Sequence, residues 1–102
     1  MMPTPRLEID LEKISHNTRT LVERLADRDI SVTGVTKATL GSTEIAEAMI
    51  KSGVISIGDS RIENIESMRF DQVTAPMDLI RSPMLSQAER VVVNANLSFC
   101  LL

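Results

Sequence analysis

The chain has 102 residues, 11 Lys plus Arg against 14 Asp plus Glu for a net charge of -3, 43% hydrophobic residues, two Phe, and neither Tyr nor Trp. This length fits one domain and not two, and the composition is that of a globular protein. A mildly acidic chain without a Lys/Arg cluster or stacking rings lacks the footprint of a nucleic-acid binder.

In chain order, Arg6-Leu7-Glu8-Ile9 alternates polar and apolar as a short strand does. Asp10 reads as an N-cap, and Leu11, Ile14, Thr18, Leu21, Val22 and Leu25 form one stripe, which predicts an amphipathic helix over residues 11–26 ended by Asp27-Arg28-Asp29. Residues 30–37 are rich in β-branched side chains and read as a strand with Lys37 at its C-terminal end. Gly41-Ser42-Thr43 supplies a turn and cap for a helix whose apolar face includes Ile45 and Met49 and which Gly53 stops. Residues 54–59 form the next strand; Ser60-Arg61-Ile62-Glu63 has capping-box spacing and opens a helix to about Arg69. Residues 78–81 are a third strand, Ser86-Gln87-Ala88-Glu89 is a second capping box leading a helix through about Val93, and residues 97–102 read as a last strand.

Strands starting near residues 31, 54, 78 and 97 with a helix in each interval imply βαβ crossovers and a parallel sheet. Two α/β architectures fit: an open doubly wound sheet, or the first half of a β/α (TIM-like) barrel, of which a complete copy takes about 250 residues. An apolar strand at the end favours the barrel half, three to four βα units.

The C-terminal ends of parallel strands are where such folds place their sites. Lys37 stands at one of them, on the pleat face of Thr33 and Val35, where partial desolvation would make its amine a nucleophile for Schiff-base chemistry. The plain alternative is a lysine that caps the strand and reaches water. Asp59 and Ser60 follow the second strand, Arg81 and Ser82 the third. Ser60 is first a helix cap; Arg81 suits either a cofactor or a structural pairing with Asp59 or Asp78. His16 lies off the apolar stripe and is not expected to be catalytic, and Met68, Met77 and Met84 read as core filling. No phosphate-cradling glycine loop, Ser/His/Asp set or metal-spaced cluster occurs. Cys100 is the one cysteine, which excludes an intramolecular disulfide and a thiolate zinc site and suits a cytoplasmic compartment; neither a signal peptide nor a membrane span can be placed.

Several of these segments resemble one family. The stretch Leu7 to Asn17, Leu-Glu-Ile-Asp-Leu-Glu-Lys-Ile-Ser-His-Asn, is similar to the opening of alanine-racemase-type pyridoxal-phosphate enzymes of fold type III. Val35-Thr36-Lys37-Ala38 resembles the Val-x-Lys-Ala/Ser segment whose lysine binds the cofactor, and Asp59-Ser60-Arg61-Ile62 and Arg81-Ser82-Pro83-Met84-Leu85 resemble segments of the ornithine racemase branch.

The resemblance implies that residues 1–102 are the N-terminal part of a pyridoxal-phosphate-binding barrel domain. Lys37 would be the Schiff-base lysine and one acid/base, with Ser60 and Arg81 as further cofactor contacts. In alanine racemase the second acid/base is a tyrosine from the C-terminal domain of a partner subunit, and the phosphate is held late in the barrel. Both would lie outside these residues, so the fragment alone is expected to be inactive and the full-length protein a homodimer. Thr39-Leu40-Gly41-Ser42 replaces the Tyr-Gly stretch that follows the alanine racemase lysine, which favours an ornithine-like substrate while an alanine-like one stays open. Two other readings remain: a pyridoxal-phosphate homeostasis protein without turnover, and a small α/β interaction domain.

Overall fold

Asp10 does what its place in the sequence predicts: its Oδ1 accepts the backbone N–H groups of Glu12 and Lys13 at 3.0 and 3.3 Å, and the first helix starts there. A computed structural model describes residues 5–98. In order the elements are α1 (Leu11–Ala26), β1 (Thr33–Val35), a 3-10 turn (Lys37–Thr39), α2 (Thr43–Lys51), β2 (Ser56–Asp59), α3 (Ile62–Phe70), β3 (Met77–Leu79), a 3-10 turn (Leu85–Gln87), α4 (Ala88–Asn94) and β4 (Leu97–Ser98). Ser42 caps α2 through the Ile45 N–H, and Gly53, at φ 112°, carries the chain out of it. Among the described residues no helix is long and apolar enough to cross a membrane.

The four strands are all parallel and lie in the order β1-β2-β3-β4. Ile57, Met77 and Leu79 point to one face, where Ile45, Ala46 and Met49 of α2, Ile62, Ile65 and Met68 of α3, and Val91 of α4 close over them. Full burial of each large side chain stabilises by roughly 1.5–3 kcal/mol. α1 packs chiefly on α2, with Ile14 and Val22 against the edge of the core. The other face carries Thr33, Val35, Ser56, Gly58, Asp78 and Ile80; a Cβ at Gly58 would meet the side chains of Thr33, Ile80 and Val35 at 3.3 to 3.7 Å. A doubly wound sheet reverses its strand order and has helices on both faces. Here the order is unbroken and one face is covered, so the β/α barrel expectation holds.

On the open face Thr33 Oγ1 and Ser56 Oγ are 2.6 Å apart and Ser56 donates onward to Asp78 Oδ2 at 3.2 Å, a polar ladder across three strands. At the opposite end of the strands from Lys37, Arg69 of α3 donates to the carbonyls of Val73, Ala75 and Asn94 and to Asn96 Oδ1, which also accepts the Met77 N–H. One guanidinium thereby ties the α3–β3 loop to the α4–β4 corner; its burial pushes the Arg69 pKa down from the ordinary value.

Several expectations are corrected. Residues 6–9 form no strand, because no described strand runs beside them to take their backbone hydrogen bonds. The strands are shorter than the apolar runs, and β1 stops at Val35: Thr36, at φ -107° and ψ 2°, leaves the extended region, so Lys37 opens a turn instead of continuing the pleat of Thr33 and Val35. Neither capping box forms. Arg61 takes the N-cap position of α3, placing Ser60 outside the helix, and Ser86 falls inside the 3-10 turn that precedes α4, whose N-cap is Gln87. Met68 and Met77 are buried, but Met84 is exposed. Most of the strand expected over residues 97–102, with Cys100, lies outside the described residues.

Candidate functional site

The ends of β1, β2 and β3 form one edge. Lys37 and Ser60 each stand two residues beyond the paired Val35 and Gly58, and Arg81 two beyond Leu79, the partner of Asp59. The structure therefore brings all three expected site residues to the C-terminal edge of the sheet. Lys37 is exposed, and among the described residues no hydrogen bond or ion pair holds its amine. Ser60 is half-buried with its hydroxyl unused by the helix, and Arg81 is exposed. His16 is exposed on α1.

What positions Lys37 is Thr36. Its N–H donates to the Gly58 carbonyl at 3.0 Å, continuing the β1–β2 ladder one step past the strand. Its Oγ1 donates to Asp59 Oδ2 at 2.8 Å. Its carbonyl accepts the N–H groups of Thr39 and Gly41, at 3.0 and 3.1 Å, and the Thr39 hydroxyl at 3.0 Å.

Asp59 is the centre of this arrangement. It is fully buried, as is Thr36, and its other oxygen accepts the Arg61 N–H at 2.9 Å and Asn64 Nδ2 at 3.0 Å. Three donors satisfy a carboxylate that no cation among the described residues touches, consistent with the rule that buried polar groups are paired. The same carboxylate thus holds the N–H of Arg61, the N-cap residue of α3, and Ser60 does not provide the cap expected of it. At the far end of the turn, Gly41 lies so close to Asn64 that a Cβ there would come within 2.6 Å of the Asn64 Cβ. The segment from Lys37 to Leu40 is thus anchored at both ends on the corner between β2 and α3.

Sequence reasoning found the edge residues but missed Thr36 and Asn64, and read Asp59 as a strand-end polar group or a pairing partner of Arg81, not as the acceptor of the Thr36, Arg61 and Asn64 donors. The signal available was register: Thr33 pairs with Ser56, so Thr36 and Asp59 are the next in-register residues of the same orientation toward each other. That signal requires the pairing to be known.

Residues 9–101 match the family model described as "Alanine racemase, N-terminal domain". Over 86 residues the chain is 42% identical to a lysine racemase of Thermotoga maritima, covering 84% of this chain and 24% of that protein. It is 32% identical over 90 residues to alanine racemase 2 of Caldanaerobacter subterraneus, covering 85% and 23%. Among solved structures, alanine racemase from E. faecalis superposes with a TM-score of 0.74 at 22% identity, over 87% of this chain and 24% of that one. Alanine racemase from Bacillus anthracis gives 0.70 at 18% identity, over 94% and 27%. The structural likeness carries the fold, and the chain spans about a quarter of the length of the relatives it matches. With a family model matched over nearly its whole length, the chain belongs to the alanine racemase N-terminal domain family.

Proposed function

We propose that these residues are the N-terminal part of a pyridoxal-phosphate-dependent amino-acid racemase, with Lys37 as the residue that holds the cofactor. The observation that carries this is an exposed, unpaired Lys37 amine on a turn anchored at both ends, at the C-terminal edge of a one-sided parallel sheet. An aldehyde cofactor needs such an amine, one not already held in an ion pair, so the residues present fit the group.

Pyridoxal 5'-phosphate, when bound, supplies an electron sink that acidifies the Cα–H of an amino acid. The Lys37 Nζ, when free, takes that proton or returns it on its own face of the substrate. Arg81, cationic and at the same edge, suits an anionic group of cofactor or substrate, and the uncommitted Ser60 hydroxyl can donate beside it. The 102 residues contain no tyrosine, so a phenolic acid for the opposite face comes from elsewhere in the full-length protein, a cytoplasmic homodimer in this reading. Identity with the lysine racemase, and Thr39-Leu40-Gly41 after the lysine, favour a substrate with a side-chain amine, ornithine-like, over an alanine-like one.

The test is to load the full-length protein with pyridoxal 5'-phosphate, reduce it with borohydride and map the modified peptide. The adduct is expected on Lys37 and lost in Lys37→Ala; an unmodified Lys37 overturns the reading. Exchange of the substrate Cα hydrogen in deuterated solvent then separates a racemase from a cofactor-holding protein without turnover, which would label at Lys37 but show no exchange.

A further inference from the structure

The carboxylate of Asp59 is buried beneath the strand ends, and the racemase reading assigns it no part in binding or proton transfer. Its position is nevertheless specific. One oxygen takes the Thr36 hydroxyl, from the residue immediately before Lys37; the other takes Asn64 Nδ2, from the residue on which Gly41 rests. Thr36 and Gly41 bracket the lysine turn, and the Gly41 N–H closes the bracket on the Thr36 carbonyl at 3.1 Å. The turn also holds Leu40 in a left-handed conformation, φ 56°, next to Gly41 at φ 68°. A leucine in that region is unfavourable and persists where surrounding contacts over-determine it.

A lysine side chain has four rotatable bonds and a flexible stem, so its amine can be placed only if its backbone is fixed. The Lys37 backbone is fixed from below, through side chains that reach neither solvent nor the amine. We propose that the Thr36–Asp59–Asn64 network is the positioning device for Lys37: it sets the backbone from which the amine reaches the cofactor and the substrate Cα. This rests on the reading of Lys37 as the cofactor lysine. Thr36, Asp59 and Asn64 are positioning residues in it and touch no reacting atom.

Thr36→Val keeps the shape and removes the hydroxyl donor; Thr36→Ser keeps the donor and removes only the methyl. In the full-length enzyme Thr36→Val is expected to lower kcat by about 10- to 100-fold, the scale of a misplacement of about 1 Å, while KM changes little. The pH at which the bound-cofactor absorbance changes should shift, and amide exchange should accelerate at residues 37–41 and not in α2 or the sheet. Thr36→Ser should restore kcat, absorbance and exchange to near the parent values. Should Thr36→Val fail to fold, Asn64→Ala removes the other side-chain donor to Asp59 while keeping the Cβ that stands against Gly41, and the same changes are expected at smaller size. Wild-type labelling at Lys37 together with unaltered absorbance, kcat and local exchange in a folded variant overturns the positioning role alone. Absence of wild-type labelling at Lys37 overturns the cofactor reading and this proposal with it.

Discussion

Gly41 meets two demands that no other residue meets together. Its φ of 68° lies in the left-handed region, and the space where a side chain would begin is taken by the Asn64 Cβ. Gly41→Ala therefore adds a left-handed penalty of about 1–2 kcal/mol to a clash with a side chain whose amide is held by Asp59. Since Asn64 cannot withdraw without releasing Asp59 Oδ1, the substitution is expected to cost about 2 kcal/mol or more, read as a lowered urea midpoint in the full-length protein. Leu40 carries the same backbone penalty one residue earlier, but its side chain, 76% exposed, meets no such wall. Glycine at 41 was legible in the sequence as a turn residue. Asn64 as the reason for it was not, because the two are brought together only when α3 docks beside the lysine turn.

At the scale of elements, α3 and α4 are joined on their outer sides by Arg90 and Glu66, whose guanidinium and carboxylate pair in bidentate fashion, Nε to Oε2 at 3.0 Å and Nη2 to Oε1. The Arg90 hydrogen bonds hold the Glu66 carboxyl below the ordinary carboxylate range, and Glu66 raises Arg90 in return. A group whose folded pKa is depressed contributes stability that is complete above its unfolded pKa and is lost as pH falls through the folded value. Wild type is thus expected to be more stable than Glu66→Gln at neutral pH, with the gap closing below about pH 4. Parallel urea titrations across that range check it. Both side chains are a third or more exposed, so the gap should be small and shrink with added salt. The pairing illustrates what helix patterning leaves open: each residue alone reads as a solvated surface charge, and only the lateral spacing of two helices over a parallel sheet brings them together.

For the molecule as a whole, the decisive feature is that one face of the sheet is packed and the other is open. Val35, 47% exposed, and the Thr33–Ser56–Asp78 ladder lie on that open face, and β1 and β4 stand at the two edges of the described sheet with backbone groups available for pairing. Parallel sheets are normally covered on both faces, and open edges are templates for association. The 102-residue chain by itself is expected to associate in a concentration-dependent way in sedimentation velocity; a single monomeric species across the concentration series would show that the face is tolerated in water.

The amino-acid sequence by itself determined the alternation of strands and helices, the start of α1 at Asp10, the caps and stops at Ser42 and Gly53, and the position of Lys37, Ser60 and Arg81 near strand ends, because each depends on local spacing and backbone chemistry. The tertiary structure decided how far each strand runs, since a strand exists only where a neighbour takes its hydrogen bonds; residues 6–9 have no such neighbour among the described residues and β1 ends at Val35. It also decided that Asp59 holds the Arg61 N–H at the start of α3, and what holds the lysine turn. A strand pattern of period two looks the same after a slip of two residues, so nothing local can say that Thr36 faces Asp59. Pairing Thr33 with Ser56 settles it, and with it the buried network under Lys37.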